Sequence, residues 1–285
     1  SQSEKSFYLN DDMLHPGFFG ENVELAKVDD LNSSDAIVVW AEDLKEKIPV
    51  LYLRIRQAVK NGVKLLVFGH TNETLSDIAD VFYGKETVSE NFEIVKDIPK
   101  LKEIKELVLG KNITAILGKS TPHQSDKSVT KLFEFLNSNS NSKVLNAYSK
   151  GNTYGAFQTL ENVKGLNDFV NEISEENTDL LFIVGADPVG RSVYSNQIKS
   201  IIEGLDTVVA LDNFNHETSE LANFLIPMSS TLGEKEGTFT NIEFRTSRID
   251  KLVPSPGQTV SDWEFITSLM TVSYTHLTLP TMFEV

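Results

Sequence analysis

The chain has 285 residues, enough for two ordinary α/β domains or one large one, each with its own core. Its 26 basic and 41 acidic residues leave a formal charge of −15, which speaks against a nucleic-acid groove built on a clustered basic face. With no cysteine, these residues supply no disulfide framework, no thiolate zinc site and no cysteine-held iron–sulfur cluster.

No apolar run approaches the roughly 18 to 20 residues that span a bilayer, and Ser1 opens neither a basic nor an apolar leader. A soluble cytoplasmic protein without direct membrane insertion is expected, and the Ser1 start suggests missing N-terminal sequence. At the other end, Val272 to Thr281 (VSYTHLTLPT) resembles the in-frame translation of a transposase sequencing adapter, so 272–285 is read as an artefactual tail.

In chain order, Ala36 to Trp40 reads as a strand. Pro49 to Lys60 reads as a helix with Val50, Leu51, Leu53, Ile55, Ala58 and Val59 along its apolar face, Arg54, Arg56 and Lys60 outward, and Asn61-Gly62 as its C-cap. Val63 to Phe68 is the next strand, followed by predicted helices at Thr74 to Phe82 and Leu101 to Leu109. Strands at Ile113 to Leu117 and Val144 to Ala147 flank a helix at Lys127 to Leu136. Helices at Leu166 to Ile173 and Val193 to Glu203 then alternate with strands at Leu180 to Val184, Thr207 to Leu211 and Phe224 to Ile226. Each strand is short and almost wholly apolar, the pattern of strands buried on both faces.

Alternation of this kind, with right-handed crossovers, predicts an α/β fold of two Rossmann-like three-layer units with mostly parallel sheets. The charged, weakly periodic run over 86–110 predicts the boundary, with a first unit at 1–105, incomplete at its N-terminus, and a second at 106–271. The polar NSNSNS run, Asn137 to Ser142, is expected as a loop inside the second unit.

Two stretches stand out as candidate sites. In Leu180 to Gly190 (LLFIVGADPVG) a strand runs into Gly185, Asp187 and Pro188 before a helix, so the backbone turns sharply and the helix start offers N–H groups to an anion. In Glu217 to Asn241 (ETSELANFLIPMSSTLGEKEGTFTN) a short helix and a buried strand closed by Pro227 lead into a loop with Glu236, Gly237, Thr238 and Asn241. Glu234, Glu236 and Glu243, beside Lys235 and Arg245, read more simply as surface and salt-bridge groups than as paired catalytic carboxylates. Gly237, Thr238 and Asn241 are expected to fix a sharp loop across a sheet edge.

His15, His70, His123 and His216 have no metal-ligand spacing, and Ser192 and Ser219 lack a nucleophile-elbow context, so neither a metal site nor a catalytic residue is assigned. Trp40 and Trp263 read as core or interface anchors.

The Glu217 to Asn241 run resembles the E-T-A-E-x-A-D-V-V-L-P and E-K-x-G-T-x-x-N segments of the molybdopterin oxidoreductase superfamily. By that resemblance Gly185, Asp187 and Pro188 occupy the G-x-[ND]-P turn that faces the guanine dinucleotide part of the pterin cofactor. Glu236, Gly237, Thr238 and Asn241 become secondary cofactor-binding candidates. Asn152, Gly155 and Ala156 match the A-N-x-x-G-A segment, and Asp262-Trp263-Glu264 matches the D-W-E that opens the last helix.

Departures occur at the counterpart site after Ala36 to Val39. Trp40 stands where a glycine is usual, with Glu42 and Asp43 expected to face any phosphate, and Gly69-His70-Thr71 replaces D-P-R. Phe244 and Asn223 also depart from E-G-R and A-D-V. The stretch Asp43 to Arg56 (DLKEKIPVLYLRIR) resembles the large iron–sulfur subunit of bacterial NADH:quinone oxidoreductase, respiratory complex I, which keeps this fold without molybdenum.

The resemblance implies a non-catalytic scaffold portion of such a subunit, cofactor-free itself. Iron–sulfur clusters are expected in the missing N-terminal part, with other peripheral-arm subunits of complex I as partners, on the inner face of the cell membrane. The alternative is part of a molybdopterin-dependent oxidoreductase of the formate dehydrogenase or nitrate reductase type, with an intact pterin cleft at Gly185 to Gly190. A third reading is a nucleotide-binding or regulatory α/β protein.

Overall fold

A computed structural model describes residues 6–9, 23–69, 72–83, 98–118, 126–160, 163–173, 178–231 and 233–278. The readings at His15, His70, Thr71, His123, residues 86–97 and the end of the tail, 279–285, lie outside them. The chain divides into two compact units, one comprising 1–7, 11–163 and 239–246, the other 8–10, 164–238 and 247–285.

After a two-residue strand β1 (Phe7–Tyr8), the first unit runs α1 (Asp30–Ser33), β2 (Ala36–Trp40), α2 (Leu44–Lys47), α3 (Pro49–Lys60) and β3 (Lys64–Phe68). It continues with β4 (Val81–Tyr83), α4 (Ile98–Val108), β5 (Asn112–Leu117), α5 (Asp126–Asn139), β6 (Asn141–Asn146) and α6 (Thr153–Thr159). The five strands are parallel in the order β4-β3-β2-β5-β6, so the chain winds outward from β2 to one side and from β5 to the other.

Winding in both directions places helices on both faces. Leu51, Tyr52, Ile55 and Ala58 of α3 pack with Ile37 and Val39 on one face, whereas Val50 and Leu53, expected on the same apolar side, are exposed. Ile104 and Val108 of α4, with Val129, Leu132 and Leu136 of α5, pack with Ala36, Val38 and Trp40 on the other. Every residue of β2 is buried as a result.

The second unit contains α7 (Leu166–Ile173), which follows the two-residue β7 (Val163–Lys164), then β8 (Leu180–Val184), α8 (Pro188–Arg191), α9 (Ser195–Gly204) and β9 (Thr207–Asp212). Next come α10 (Glu217–Glu220), β10 (Phe224–Pro227), the strands β11 (Gly237–Thr240) and β12 (Thr246–Ile249), whose 239–246 portion belongs to the first unit, and α11 (Asp262–Thr278). Strands β10, β9 and β8 form a three-stranded parallel sheet in that order. One face is closed by α7 and α9, whose Phe169, Ile173, Ile198 and Ile202 pack on Ile183 and Val208.

Several expectations are corrected. No boundary falls within 86–110, because β2 pairs directly with β5 and one sheet spans both sides of that run; the units part near residue 163. Residues 74–82 form a 3₁₀ turn at Glu73–Leu75 and the strand β4 instead of a helix. Leu75, Ile78, Ala79 and Phe82 carry helical spacing, yet they reach the same core from a turn and a strand. The NSNSNS run holds almost no loop: α5 extends to Asn139 and β6 begins at Asn141, where Asn141 donates from Nδ2 to Asn112 Oδ1 at 3.0 Å. Strands β8 and β10 are not buried on both faces, since Leu180, Phe182, Val184, Phe224 and Leu225 are exposed.

Candidate cofactor site

The carboxyl ends of parallel strands are where α/β sheets present ligand-binding loops. In the second unit β8 ends at Gly185, whose φ of 60° lies in the left-handed region that favours glycine. The turn carries Asp187 to the N-cap of α8, where its Oδ1 accepts the Gly190 N–H at 3.0 Å. Pro188 follows at the first helical position, where its fixed φ fits and its missing N–H costs nothing. A β-carbon at Gly190 would overlap the Asp187 carboxylate, so the capped geometry requires glycine there.

Asp187 is tied to the neighbouring loop as well. Thr218 donates from Oγ1 to Asp187 Oδ1 at 2.7 Å, and the same hydroxyl accepts the Val189 N–H at 2.9 Å. Burial pushes the Asp187 carboxyl up, but the Thr218 hydroxyl, the Gly190 N–H, the His216 charge and the Thr218 N–H outweigh it and hold the group below its ordinary range.

His216 completes the cluster. Its Nδ1 lies 3.2 Å from Asp187 Oδ1 and its Nε2 3.0 Å from Asp212 Oδ2, so one imidazole stands between carboxylates from the ends of β8 and β9. His216 also caps α10, accepting the Ser219 N–H at Nδ1 while Ser219 Oγ accepts the His216 N–H. With Nδ1 accepting in this cap, the ring carries its proton at Nε2. Although Nε2 is close to Asp212, the approach is not aligned as a hydrogen bond, which leaves a buried polar atom without a partner.

Sequence reasoning misses His216 because it lacks metal-ligand spacing. Its four-residue distance from Asp212 is visible in the chain, but not that Asp187 closes the other side. Among the described residues no group of three His, Asp or Glu has an arrangement that holds a metal ion.

The candidates in the second loop lie elsewhere and do different things. Glu236 sits 3.6 Å from Arg248 on the surface, Glu234 accepts the Ser230 N–H, and Glu243 accepts the Val28 N–H. Gly237 and Thr238 begin β11, and nothing lies close to the place a Gly237 β-carbon would take, so that glycine answers no packing demand. Asn241 accepts from the Glu243 and Arg245 N–H groups and closes the turn into β12, where Phe244 takes a positive φ of 62°. The expected sharp loop is therefore a hairpin, and its three glutamates do not pair.

In the first unit Trp40 is a core anchor, as expected, and not an obstruction. The ring does not block a cleft: it is buried under β2 beside Phe68, with ring centroids 6.3 Å apart. Asp43 does not face an incoming phosphate either, because its carboxylate accepts the Lys45 and Glu46 N–H groups as the N-cap of α2. At the carboxyl end of β6, Asn146 is buried with both side-chain amide atoms unpartnered. Nearby, burial and then Tyr154 push the Tyr148 phenol far up, so it remains protonated as a hydrogen-bond donor.

Asn152 and Gly155, picked out by resemblance, form a clamp within this unit. Asn152 Oδ1 accepts the Thr240 N–H at 2.8 Å, and a β-carbon at Gly155 would overlap that side chain.

These features suit a polar group with several hydrogen-bonding atoms. Buried, unsatisfied polar atoms are expensive unless a ligand or water completes them; His216 Nε2 in the second unit is of this kind, as is the Asn146 amide in the first. In the second unit the Gly185 turn and the Asp187–His216–Asp212 cluster offer polar atoms that fit the nucleotide-bearing part of a pterin cofactor. They contain no cysteine to ligate its metal.

Comparison with known proteins agrees with the architecture. Residues 7–272 match the molybdopterin oxidoreductase family. The F420-dependent formate dehydrogenase 2 subunit alpha of Methanococcus maripaludis is 35% identical over 124 residues, 40% of this chain and 18% of the relative. The assimilatory nitrate reductase catalytic subunit of Bacillus subtilis is 33% identical over 102 residues, 36% of this chain and 14% of the relative. The NADPH-Fe(3+) oxidoreductase subunit alpha of Geobacter sulfurreducens is 31% identical over 106 residues, 37% of this chain and 12% of the relative. The aligned part thus spans less than a fifth of each relative's length. With its family match covering nearly the whole chain and its mostly parallel α/β sheets in place, the protein belongs to the molybdopterin oxidoreductase family.

Proposed function

We propose that the chain is a cofactor-binding portion of a molybdopterin-dependent oxidoreductase of the formate dehydrogenase or nitrate reductase kind. The observation that carries this is the Asp187–His216–Asp212 cluster at the carboxyl ends of β8 and β9, with a buried ring nitrogen that no protein group satisfies. When bound, the pterin cofactor supplies the two-electron redox chemistry of the family. The protein's own share is binding: Gly185 turns the backbone, Asp187 and Asp212 present carboxylate oxygens to N–H donors of a nucleotide base, and His216 holds the two loops together.

The formate dehydrogenase and nitrate reductase subunits among its relatives support this reading, and the buried position of Trp40 removes the main objection to it. The test is to purify the longer native polypeptide anaerobically, measure molybdenum, and assay formate oxidation and nitrate reduction with dye partners. Molybdenum with either activity is expected.

A scaffold portion of the large iron–sulfur subunit of complex I is the second reading, favoured by the Asp43 to Arg56 stretch, which folds as α2 and α3. Under it the same preparation holds iron–sulfur clusters, accepts electrons in an NADH-oxidising assembly and contains no molybdenum. That result would sink the first reading.

A further inference from the structure

We propose that the outward face of α2 and α3 in the first unit is a docking site for an acidic protein, whose carboxylates meet Lys45, Lys47, Arg54 and Lys60 around the apolar pair Val50 and Leu53. Its occupancy does not depend on what the Gly185 loop binds.

The observation is a pair of apolar side chains on the solvent side of a helix. In α3 Leu51, Tyr52, Ile55 and Ala58 are buried, whereas Val50 is 67% and Leu53 63% exposed. Steps of three and four residues line up Val50, Leu53, Arg54, Gln57 and Lys60 along that outward side. Gln57 donates to Asn61 Oδ1 at 3.2 Å at the end of the same helix, so it covers neither apolar residue by reaching back over them. A lone exposed apolar residue is ordinary surface; two adjoining ones ringed by cations have the composition of an interaction patch.

Charge sets the face apart from the rest of the molecule. The chain carries −15 overall, yet Leu44 to Lys60 holds five cationic side chains and one acidic, Glu46. Three neighbouring carboxylates are engaged: Asp43 caps α2 by accepting the Lys45 and Glu46 N–H groups, Asp77 pairs with Arg56, and Asp80 pairs with Lys64. Lys45, Lys47, Arg54 and Lys60 form no ion pair among the described residues. A cluster of unpaired cations draws carboxylates from a distance and governs the rate and salt dependence of association.

Chemistry selects the occupant. A second copy of this chain would pair the face two-fold with itself and bring like charges together. Nucleic acid calls for a continuous basic surface, which Glu46 and the apolar pair interrupt. A bilayer surface gains little from two apolar side chains. An acidic protein meets both parts of the patch, with carboxylates on the cations and apolar side chains on Val50 and Leu53. From Val50 to Lys60 the face is about 15 Å long, the scale of a transient contact and not of an obligate interface.

The experiment purifies the longer native polypeptide from its own cells at low salt and treats it with a carbodiimide, which joins a lysine amine to a touching carboxylate with loss of water. Mass spectrometry maps the links, and Lys64 to Asp80, 2.7 Å apart, is the internal control. Links from Lys45, Lys47 or Lys60 to aspartate or glutamate of a different polypeptide are expected, falling about tenfold at about 0.5 M salt. Arg54→Glu and Leu53→Glu, both at exposed positions, should each cut those links about tenfold with an unchanged circular dichroism spectrum. Lys199→Glu, exposed on α9, should leave them as they are. The proposal is overturned if the control link forms and these lysines stay free, or if they join only carboxylates of their own polypeptide or of a second copy. It is equally overturned if both α3 variants link like wild type, or if the purified polypeptide binds duplex DNA or phosphatidylserine vesicles through Arg54.

Discussion

The two parallel sheets differ in one respect that governs everything else about them. In the first unit the central strand β2 is buried along its whole length, with α3 on one face and α4 and α5 on the other. In the second, β8 alternates between exposed and covered positions because α7 and α9 close one face, while Phe265 of α11 covers the other only over β9. Both strands are apolar, so composition does not separate them. What separates them is whether the chain winds in one direction or in two, and the difference shows that an apolar strand reports where burial is needed, not where it has been supplied.

The largest effect should come from a phenylalanine on each sheet. Phe68→Ala removes a fully buried ring that packs with Trp40 and Tyr83, and should cost about 3–5 kcal/mol by urea unfolding. Phe182→Ala in the chain alone should cost less than about 1 kcal/mol, since that ring is already partly in water. Equal losses would break the contrast between the sheets.

Next are the glycines that make room for polar side chains at helix starts. Asn152 and Asp187 each begin a helix, and each has a glycine three residues on whose β-carbon would overlap the polar side chain. Gly155→Ala should deprive the Thr240 N–H of its acceptor, costing about 1–3 kcal/mol and speeding exchange over 239–246. Gly190→Ala should disturb the Asp187 cap by a similar amount. If only one variant is destabilised, the shared device is not a device.

Acid should reveal a smaller effect. Asp187 is held below its ordinary value of 3.8, so its contribution is present above the unfolded-state pKa and is lost as pH falls through the lower folded value. Stability should therefore decline below about pH 4 in part through this group, and Asp187→Asn should flatten that part of the profile. A parallel profile in the variant would contradict the assignment. Smallest of all is Arg248→Ala, which removes exposed ion pairs with Glu236 and Asp250 and should change stability by less than about 0.5 kcal/mol.

Most strands were legible because continuous apolar runs bounded by glycine and polar residues have few other uses. Ala36 to Trp40 and Leu180 to Val184 were placed to the residue. The misreadings have physical causes. Leu75, Ile78, Ala79 and Phe82 imitate a helix face because a tight turn and a strand deliver them to one core. Asn141 looked like loop, yet a strand's first residue can be polar where the sheet margin meets solvent; Ser142 after it is buried.

At the site, the Gly185–Asp187–Pro188 turn was legible from the residues alone. The role of His216 was not, because it comes from the side-by-side placement of β8 and β9. Trp40, the last residue of its strand, stands where a glycine is usual, and its ring turns into the core as an anchor there.

The most direct test is the nucleotide content of the longer native polypeptide, released by acid and quantified together with molybdenum, in wild type and in Asp187→Ala. Guanine nucleotide and molybdenum in the wild type, with a large loss of nucleotide in a variant that still folds, is the result expected. A folded wild type that carries neither would contradict the account.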